Sequence, residues 1–155
     1  MSQNTTIYNL ENYFGPSAFS AEGFMGYDSR SLKEIINEDA AQLKELRTSI
    51  GSIVEALRSI YTAAEQALET PVLFGEAITA IHYESRGTIP SPVPGDGTYQ
   101  KGETHITDKA NGKTIVVTPL SLHLIEKYRF FQGRGSPYRV DPESAWEIVK
   151  KISDK

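Results

Sequence analysis

A seven-residue apolar repeat between Ser31 and Glu69 constrains the fold of this chain more than any other feature. Apolar residues occupy two phases of the repeat, and Asp39 is the only polar residue at either phase. The two phases hold Ile36, Leu43, Ile50, Leu57 and Ala64, and Leu46, Ile53, Ile60 and Ala67. This spacing places a narrow apolar strip along one side of a helix, and the stretch contains no proline that would interrupt it. The sequence therefore predicts a long N-terminal helix that serves as scaffold.

The length of this helix raises the question of what covers its apolar strip. A continuous helix over residues 31–69 would span roughly 58 Å, which exceeds the size of a compact domain of this length. A break near Gly51, with Ser52 and Glu55 as a capping box, would give a hairpin of two helices. A single helix would instead pair its strip with a second copy of the chain. Because the apolar phase passes through Gly51 without a slip, we expect a continuous helix and a homodimer through residues 31–69.

Composition excludes several classes of site. The 155 residues are enough for a single domain with its own core, and the absence of cysteine excludes disulfides, thiolate metal sites and cysteine nucleophiles. The first residues, MSQNTTIYNLENYFG, do not resemble a secretory signal, and no segment approaches membrane-spanning length. We therefore expect a cytoplasmic protein that does not bind membranes. The net charge of -4 argues against sequence-independent binding to nucleic acid.

Residues 1–30 are rich in aromatic residues and glycine. The aromatic residues are Tyr8, Tyr13, Phe14, Phe19, Phe24 and Tyr27. Aromatic side chains at this density are typical of a segment that packs on a core or on a partner subunit. We predict that residues 1–30 form an N-terminal arm. Ser31 and Glu34 follow with the spacing of a capping box, which predicts that the long helix begins there.

Three segments after the long helix are predicted to form strands. Residues 76–85, 99–107 and 113–118 are rich in β-branched and aromatic residues, although the first also fits a helix imperfectly. Asn111-Gly112 separates the last two segments and favours a hairpin, because it tolerates the positive φ angles of a tight turn. Residues 86–97 hold three prolines and three glycines and are predicted to form a surface loop. Together these segments predict a three-stranded antiparallel sheet.

Two C-terminal helices are predicted by matching start signals. Thr118-Pro119 and Asp141-Pro142 each place a capping residue before a proline at the first helical position. Residues 133–140 separate the two helices. A long helix, three strands and two further helices give an α+β fold, with helices packed on one face of a small antiparallel sheet. We expect residues 1–155 to form this single domain.

Two short spacings place a histidine and a glutamate on the same face of a strand. His82 precedes Glu84 by two residues and Glu103 precedes His105 by two, and residues two apart in a strand point to the same side. If the strands are antiparallel neighbours in register, two nitrogens and two oxygens would converge, a ligand set that suits zinc, manganese or iron(II). A metal-bound water would then be the nucleophile of a hydrolase. The alternative is the ordinary polar face of a half-covered sheet.

A glycine-rich turn before the last helix contains two arginines. The candidate anion-binding residues are Arg134, Gly135, Ser136 and Arg139. Glycine would let backbone amides face a ligand, the guanidinium groups would supply positive charge, and the start of the last helix would add its dipole. A phosphate or carboxylate would suit this arrangement, but an ordinary turn between helices has the same composition. The segment matches neither a P-loop nor a dinucleotide fingerprint, and we expect no cofactor.

Residues 113–131, KTIVVTPLSLHLIEKYRFF, resemble the wing strand and following helix of winged-helix transcription regulators. In that family the strand ends in threonine, and the next helix carries leucines and a tyrosine. The resemblance implies a DNA-binding regulator, which needs a recognition helix just before the wing. In this chain a proline-rich loop occupies that place, so the pattern departs from the family where the function would lie.

These observations lead us to expect a non-enzymatic, dimeric module that binds a protein partner or a small anion. The alternatives are a metal-dependent hydrolase that uses the two His/Glu pairs and a winged-helix-like DNA-binding regulator. A serine hydrolase has little support, because no G-x-S-x-G motif occurs. His123 lies at the edge of the apolar side of its predicted helix, and we expect it to pack there rather than act as a base.

Overall fold

The computed structural model describes residues 13–14 and 23–153. Within these residues the chain forms four helices, α1 Leu32–Glu45, α2 Ile50–Ala67, α3 Pro119–Tyr128 and α4 Pro142–Ser153. It also forms six strands, β1 Val72–Phe74, β2 Ile78–Tyr83, β3 Thr88–Pro90, β4 Thr98–Gln100, β5 Glu103–Asp108 and β6 Lys113–Val117. The predicted α+β class is confirmed. None of these helices has both the length and the apolar character needed to cross a membrane.

The strands form a four-stranded sheet and a separate hairpin. All neighbours in the sheet are antiparallel, in the order β1-β2-β5-β6, and β3 pairs with β4 in the hairpin. The predicted strands correspond to β2, β5 and β6, but the prediction of a three-stranded sheet was wrong. β1 was missed, β3 lies in the predicted loop 86–97, and β4 was merged with β5. Each missed strand has only three residues, too few to show an alternating pattern.

The predicted start and turn signals are confirmed. Helices α1, α3 and α4 begin at the expected pairs Ser31 and Glu34, Thr118 and Pro119, and Asp141 and Pro142. The turn between β5 and β6 closes where the Gly112 amide donates to the Asp108 carbonyl at 2.8 Å, with a φ of 73° at Gly112. These signals act within a few residues of chain, which is why the sequence alone identifies them.

The prediction of one continuous helix over residues 31–69 was wrong. α1 ends at Glu45, Arg47 adopts a left-handed φ of 59°, and the Ser49 side chain caps α2 by accepting the Ser52 amide. The alternative, a pair of helices with a break near Gly51, is the arrangement found, but the break lies at residues 46–49 and the cap is Ser49 rather than Ser52. The four residues between the helices take up about one helical turn. The apolar phase therefore continues across the break, and periodicity alone could not detect it.

The apolar strip is buried inside one copy of the chain. The main core cluster, which joins α2 and α4 to the inner face of the sheet, includes Leu43, Ile53, Leu57, Ile60, Ala64, Ile78, Ala80, Ile106, Val117 and Ile148. A second cluster includes Phe14, Leu32, Ile35, Leu120, Leu124 and Phe130. An uncovered strip was the reason to expect a homodimer, and that reason no longer holds.

The predicted aromatic arm is described only in part. Residues 1–12 and 15–22 lie outside the described residues. Phe14 is fully buried, and its ring stacks on Phe130 with a centroid separation of 4.6 Å. The Gly133 amide donates to the Phe24 carbonyl at 2.8 Å. The described part of the arm thus contacts the turn between α3 and α4.

Candidate metal centre

Each predicted His/Glu pair is formed, but the two pairs do not meet. The Nε2 atom of His82 lies 2.8 Å from Oε1 of Glu84, and the Nε2 atom of His105 lies 2.8 Å from Oε1 of Glu103. The first pair combines a buried imidazole with an exposed carboxylate, whereas both members of the second pair are half-buried. The structure therefore brings together two candidate ligands at a time rather than four.

The register of β2 and β5 keeps the pairs apart. His82 lies opposite Thr104, and His105 lies opposite Ile81. Directly opposed residues share one face of a sheet, and adjacent residues face opposite ways. His82 and Thr104 therefore face the core, while Glu103 and His105 face the outer surface. The four side chains do not converge, because the observed strand register differs by one residue from the register that would place His82 opposite His105.

Glu65 of α2 approaches the first pair from the helical layer. One carboxylate oxygen from each of Glu65 and Glu84 and one ring nitrogen of His82 all lie within 4.8 Å of one another. Ligands of a tetrahedral zinc ion lie roughly 3.4 Å apart, because each is about 2.1 Å from the metal. The two glutamate side chains would therefore have to close this spacing around His82 for the three groups to share one ion. No local sequence pattern indicates Glu65, because its approach depends on how α2 crosses the sheet.

His82 is fixed in position by its neighbours. It is fully buried, and its Nδ1 atom lies 2.9 Å from the Thr104 hydroxyl, which leaves Nε2 directed at Glu84. The Tyr61 ring meets the imidazole edge to face, with centroids 5.0 Å apart. A Cβ atom at Gly102 would lie 2.9 Å from Nε2 of His82, so only glycine lets the chain pass this close. This arrangement resembles a metal-ligating histidine whose second nitrogen is held by a hydrogen bond.

The surroundings of the cluster are electronegative. Burial, followed by the charges of Glu65 and Glu84, raises the pKa of Tyr61 to about 12. Tyr61 is therefore a neutral phenol at physiological pH. Two carboxylates and one imidazole suit a divalent ion such as zinc, manganese or iron(II), and a cation would neutralise the two negative charges.

A cavity of about 520 Å³ adjoins the cluster, and Glu84 is part of its wall. The cavity lies where β2 ends, β5 begins and α3 starts. Its apolar wall includes Phe24, Ile89 and Leu120. Its polar wall includes Tyr83, Glu84, Glu103, Gln132, Ser136 and Tyr138. A small molecule bound in this cavity would lie next to the candidate metal ligand Glu84.

Arg139, predicted to bind an anion, is already engaged within the protein. Its Nη1 atom donates to Oδ2 of Asp39 and its Nη2 atom to Oδ1, each at 3.0 Å. Nη1 also donates to the backbone carbonyl of Gln132 at 2.6 Å. Because a carboxylate already accepts hydrogen bonds from both Nη atoms of the guanidinium, Arg139 has little capacity left for an external anion.

The other three predicted anion-binding residues do not converge on one point. The Arg134 amide donates to the Asp28 carboxylate at 3.1 Å, while its side chain is exposed. Gly135 lies against the ring of Tyr27, where an added Cβ would overlap that ring. Ser136 lines the cavity. Of the four residues, Ser136 is therefore the one that the structure places beside the cavity.

A second polar cluster, absent from the sequence predictions, holds the β3–β4 hairpin on α3. The buried carboxylate of Asp96 accepts hydrogen bonds from Ser91 at 2.6 Å, His123 at 2.8 Å and Lys127 at 2.6 Å. The ring of His123 also stacks on Tyr99, with centroids 4.8 Å apart. Each of these groups has a partner within the cluster, so we interpret the cluster as a structural link between the β3–β4 hairpin and α3.

Comparison of the chain with protein-family models, curated proteins and solved structures finds no match.

Proposed function

We propose that this protein is a metal-dependent hydrolase whose divalent cation is bound by Glu65, His82 and Glu84. The observation that supports the proposal is the approach of three ligand atoms to within 4.8 Å of one another beside a cavity whose wall includes Glu84. Three protein ligands leave at least one coordination position for water, as in catalytic zinc sites. The sequence-based hydrolase hypothesis is thereby changed, with Glu65 in place of Glu103 and His105.

The proposed reaction uses a metal-bound water as nucleophile. A bound cation lowers the pKa of water from its bulk value toward about 7, which supplies hydroxide at neutral pH. The oxygen of this water would bond to a carbonyl or phosphoryl centre held in the cavity as the bond from that centre to the leaving group breaks, and the proton lost by the water would pass to the leaving group. Thr104 would hold the imidazole of His82 in place, and the glycine at position 102 would leave the space that the ring needs.

The other expected functions have less support. Binding of a small anion required free guanidinium groups, and Arg139 is bound to Asp39. Self-association required an uncovered apolar strip, and that strip is buried in the core. The elements β6 and α3 agree with the winged-helix resemblance, but the element before β6 is the strand β5 rather than a recognition helix. These functions stay predictions that no observation favours.

An activity assay tests the proposal. Protein treated with EDTA is assayed on p-nitrophenyl acetate and on bis-p-nitrophenyl phosphate, before and after addition of zinc or manganese. We expect metal to stimulate hydrolysis of at least one ester, and Glu65→Gln to abolish the stimulation. Glu55→Gln is the matched control, because Glu55 is exposed on α2 and belongs neither to the cluster nor to the cavity wall. Stimulation that survives in Glu65→Gln would contradict the proposed site.

A further inference from the structure

The side chain of Gln132 offers an unused hydrogen-bond donor to the cavity. Gln132 is only 2% exposed and belongs to the cavity wall. Its amide oxygen accepts a hydrogen bond from the Ser136 hydroxyl at 2.5 Å. Its amide nitrogen has no hydrogen-bond partner among residues 13–14 and 23–153. This nitrogen is not one of the fully buried unpaired atoms of the described residues, so it faces the open space of the cavity, where a ligand oxygen can accept from it.

The backbone of Gln132 is held firmly in an uncommon conformation. Its φ of 74° lies in the left-handed region, which non-glycine residues rarely adopt. Its carbonyl accepts the hydrogen bond from Arg139 described above, and Arg139 is in turn fixed by Asp39 on α1. The donor is therefore positioned before a ligand arrives, which reduces the entropy lost on binding.

A carboxylate and two aromatic rings form another part of the cavity wall. The Tyr138 hydroxyl donates to Oε2 of Glu103 at 3.0 Å, while Oε1 of Glu103 pairs with His105. Tyr83 and Tyr138 also line the cavity and are 41% and 36% exposed, so their rings are accessible to a ligand. A carboxylate flanked by aromatic rings is an arrangement that attracts a cationic group. Among the described residues of the wall, Lys101 is the only basic one, and it is exposed.

We infer that the cavity binds a small amphipathic amine, and that such an amine is the substrate of the proposed hydrolase. In this arrangement the ammonium group lies near Glu103, a carbonyl oxygen accepts from Gln132, and the apolar part contacts Phe24 and Leu120. The claim that the substrate is an amide or ester that carries an amine rests on the proposed function. As a binding preference, it can be measured in the absence of metal.

The test compares three ligands that share one aromatic ring and differ in charge. L-phenylalaninamide is a cation at neutral pH, N-acetyl-L-phenylalaninamide is neutral, and N-acetyl-L-phenylalanine is an anion. Binding to the EDTA-treated full chain is measured by titration calorimetry. We expect the cation to bind about tenfold tighter than the anion, since a nearby carboxylate attracts one and repels the other. Equal or tighter binding of the anion, or binding of none of the three, would overturn the inference.

Variants assign the preference to individual residues. Glu103→Gln should remove most of the difference between the cation and the neutral amide, and Gln132→Ala should weaken both amides. Glu55→Gln on the exposed side of α2 is the matched control and should leave all three affinities unchanged. An unchanged preference in Glu103→Gln would overturn the inference. If the amine binds but zinc does not bind at Glu65, the hydrolase proposal is wrong and the binding preference for amines stands. If zinc binds but the amine does not, the amine inference is wrong and the hydrolase proposal stands.

Discussion

The carboxylate of Asp39 receives two parallel hydrogen bonds from the guanidinium of Arg139, and both side chains are largely buried. Asp39 is the one polar residue in the apolar repeat, and the pair explains why a charge is tolerated there. The pair links α1 to the turn before α4, and through the Gln132 carbonyl it reaches the cavity wall. One ion pair thus connects the helical scaffold to the candidate ligand site.

Replacement of Asp39 by alanine should destabilise the fold strongly. We expect a loss of about 3 kcal/mol in the free energy of unfolding, because the largely buried guanidinium of Arg139 would lose the carboxylate that accepts two of its hydrogen bonds. Urea denaturation followed by circular dichroism measures the change. Glu126→Ala, which breaks the exposed Arg58–Glu126 pair, is the control and should change stability very little. A similar, small effect of both substitutions would show that the Asp39–Arg139 pair does not stabilise the fold.

Gly51→Ala should stabilise the protein. Gly51 is inside α2, its added Cβ would meet nothing closer than 3.9 Å, and alanine favours helix over glycine. We expect a gain of about 0.5 kcal/mol in the free energy of unfolding. This is less than the usual difference between alanine and glycine in a helix interior, because the position is near the helix start. Thermal or urea unfolding measures it. Destabilisation would indicate that the chain turns at Gly51 after all.

The two helix findings show what the sequence could and could not predict about the fold. Ser31 with Glu34 and Thr118 with Pro119 were identified because a cap is a contact between residues three or fewer positions apart. The break at Leu46–Ser49 was not, because an interruption of one helical turn leaves the apolar spacing intact. The strands of three residues were missed for a related reason, since a pattern of period two needs more residues to be recognised.

Gly102→Ala should impair the candidate metal centre. The added methyl group would lie 2.9 Å from the imidazole of His82, which would have to move away from Glu84. We expect the rise in melting temperature on addition of zinc to fall to less than half of the wild-type value. Gly112→Ala is the control for general destabilisation. It introduces backbone strain at a left-handed turn, but open space surrounds Gly112, so the added methyl group contacts no candidate ligand. Equal zinc responses in both variants would contradict the proposed role of Gly102.

Acid should weaken the attachment of the β3–β4 hairpin through Asp96. Burial raises the pKa of this carboxyl, but hydrogen bonds from Lys127, Ser91 and His123 outweigh that effect and hold it well below its usual range. A carboxyl with a lowered folded pKa stabilises the fold above its unfolded pKa of about 4, and this contribution is lost as the pH falls toward the folded pKa. Asp96→Asn should therefore be less stable at neutral pH and lose less stability on acidification. Urea unfolding at about pH 7, 4 and 3 tests this, and parallel losses in both proteins would contradict it.

The candidate site shows a similar division between local and distant information. His82 and Glu84 could be paired from the sequence because residues two apart in a strand share a face. Glu103 and His105 obey the same rule, yet a one-residue difference in register places them on the other side of the sheet. The approach of Glu65 depends on tertiary packing of α2, and no local pattern reports it.

Titration calorimetry of the EDTA-treated protein with zinc tests the central claim most directly. We expect one zinc ion per chain, and at least tenfold weaker binding in Glu65→Gln and in Glu84→Gln, because each removes a ligand charge. Glu103→Gln should bind zinc as the wild type does. Absence of binding to the wild type, or an equal loss in Glu65→Gln and Glu103→Gln, would contradict a metal centre formed by Glu65, His82 and Glu84.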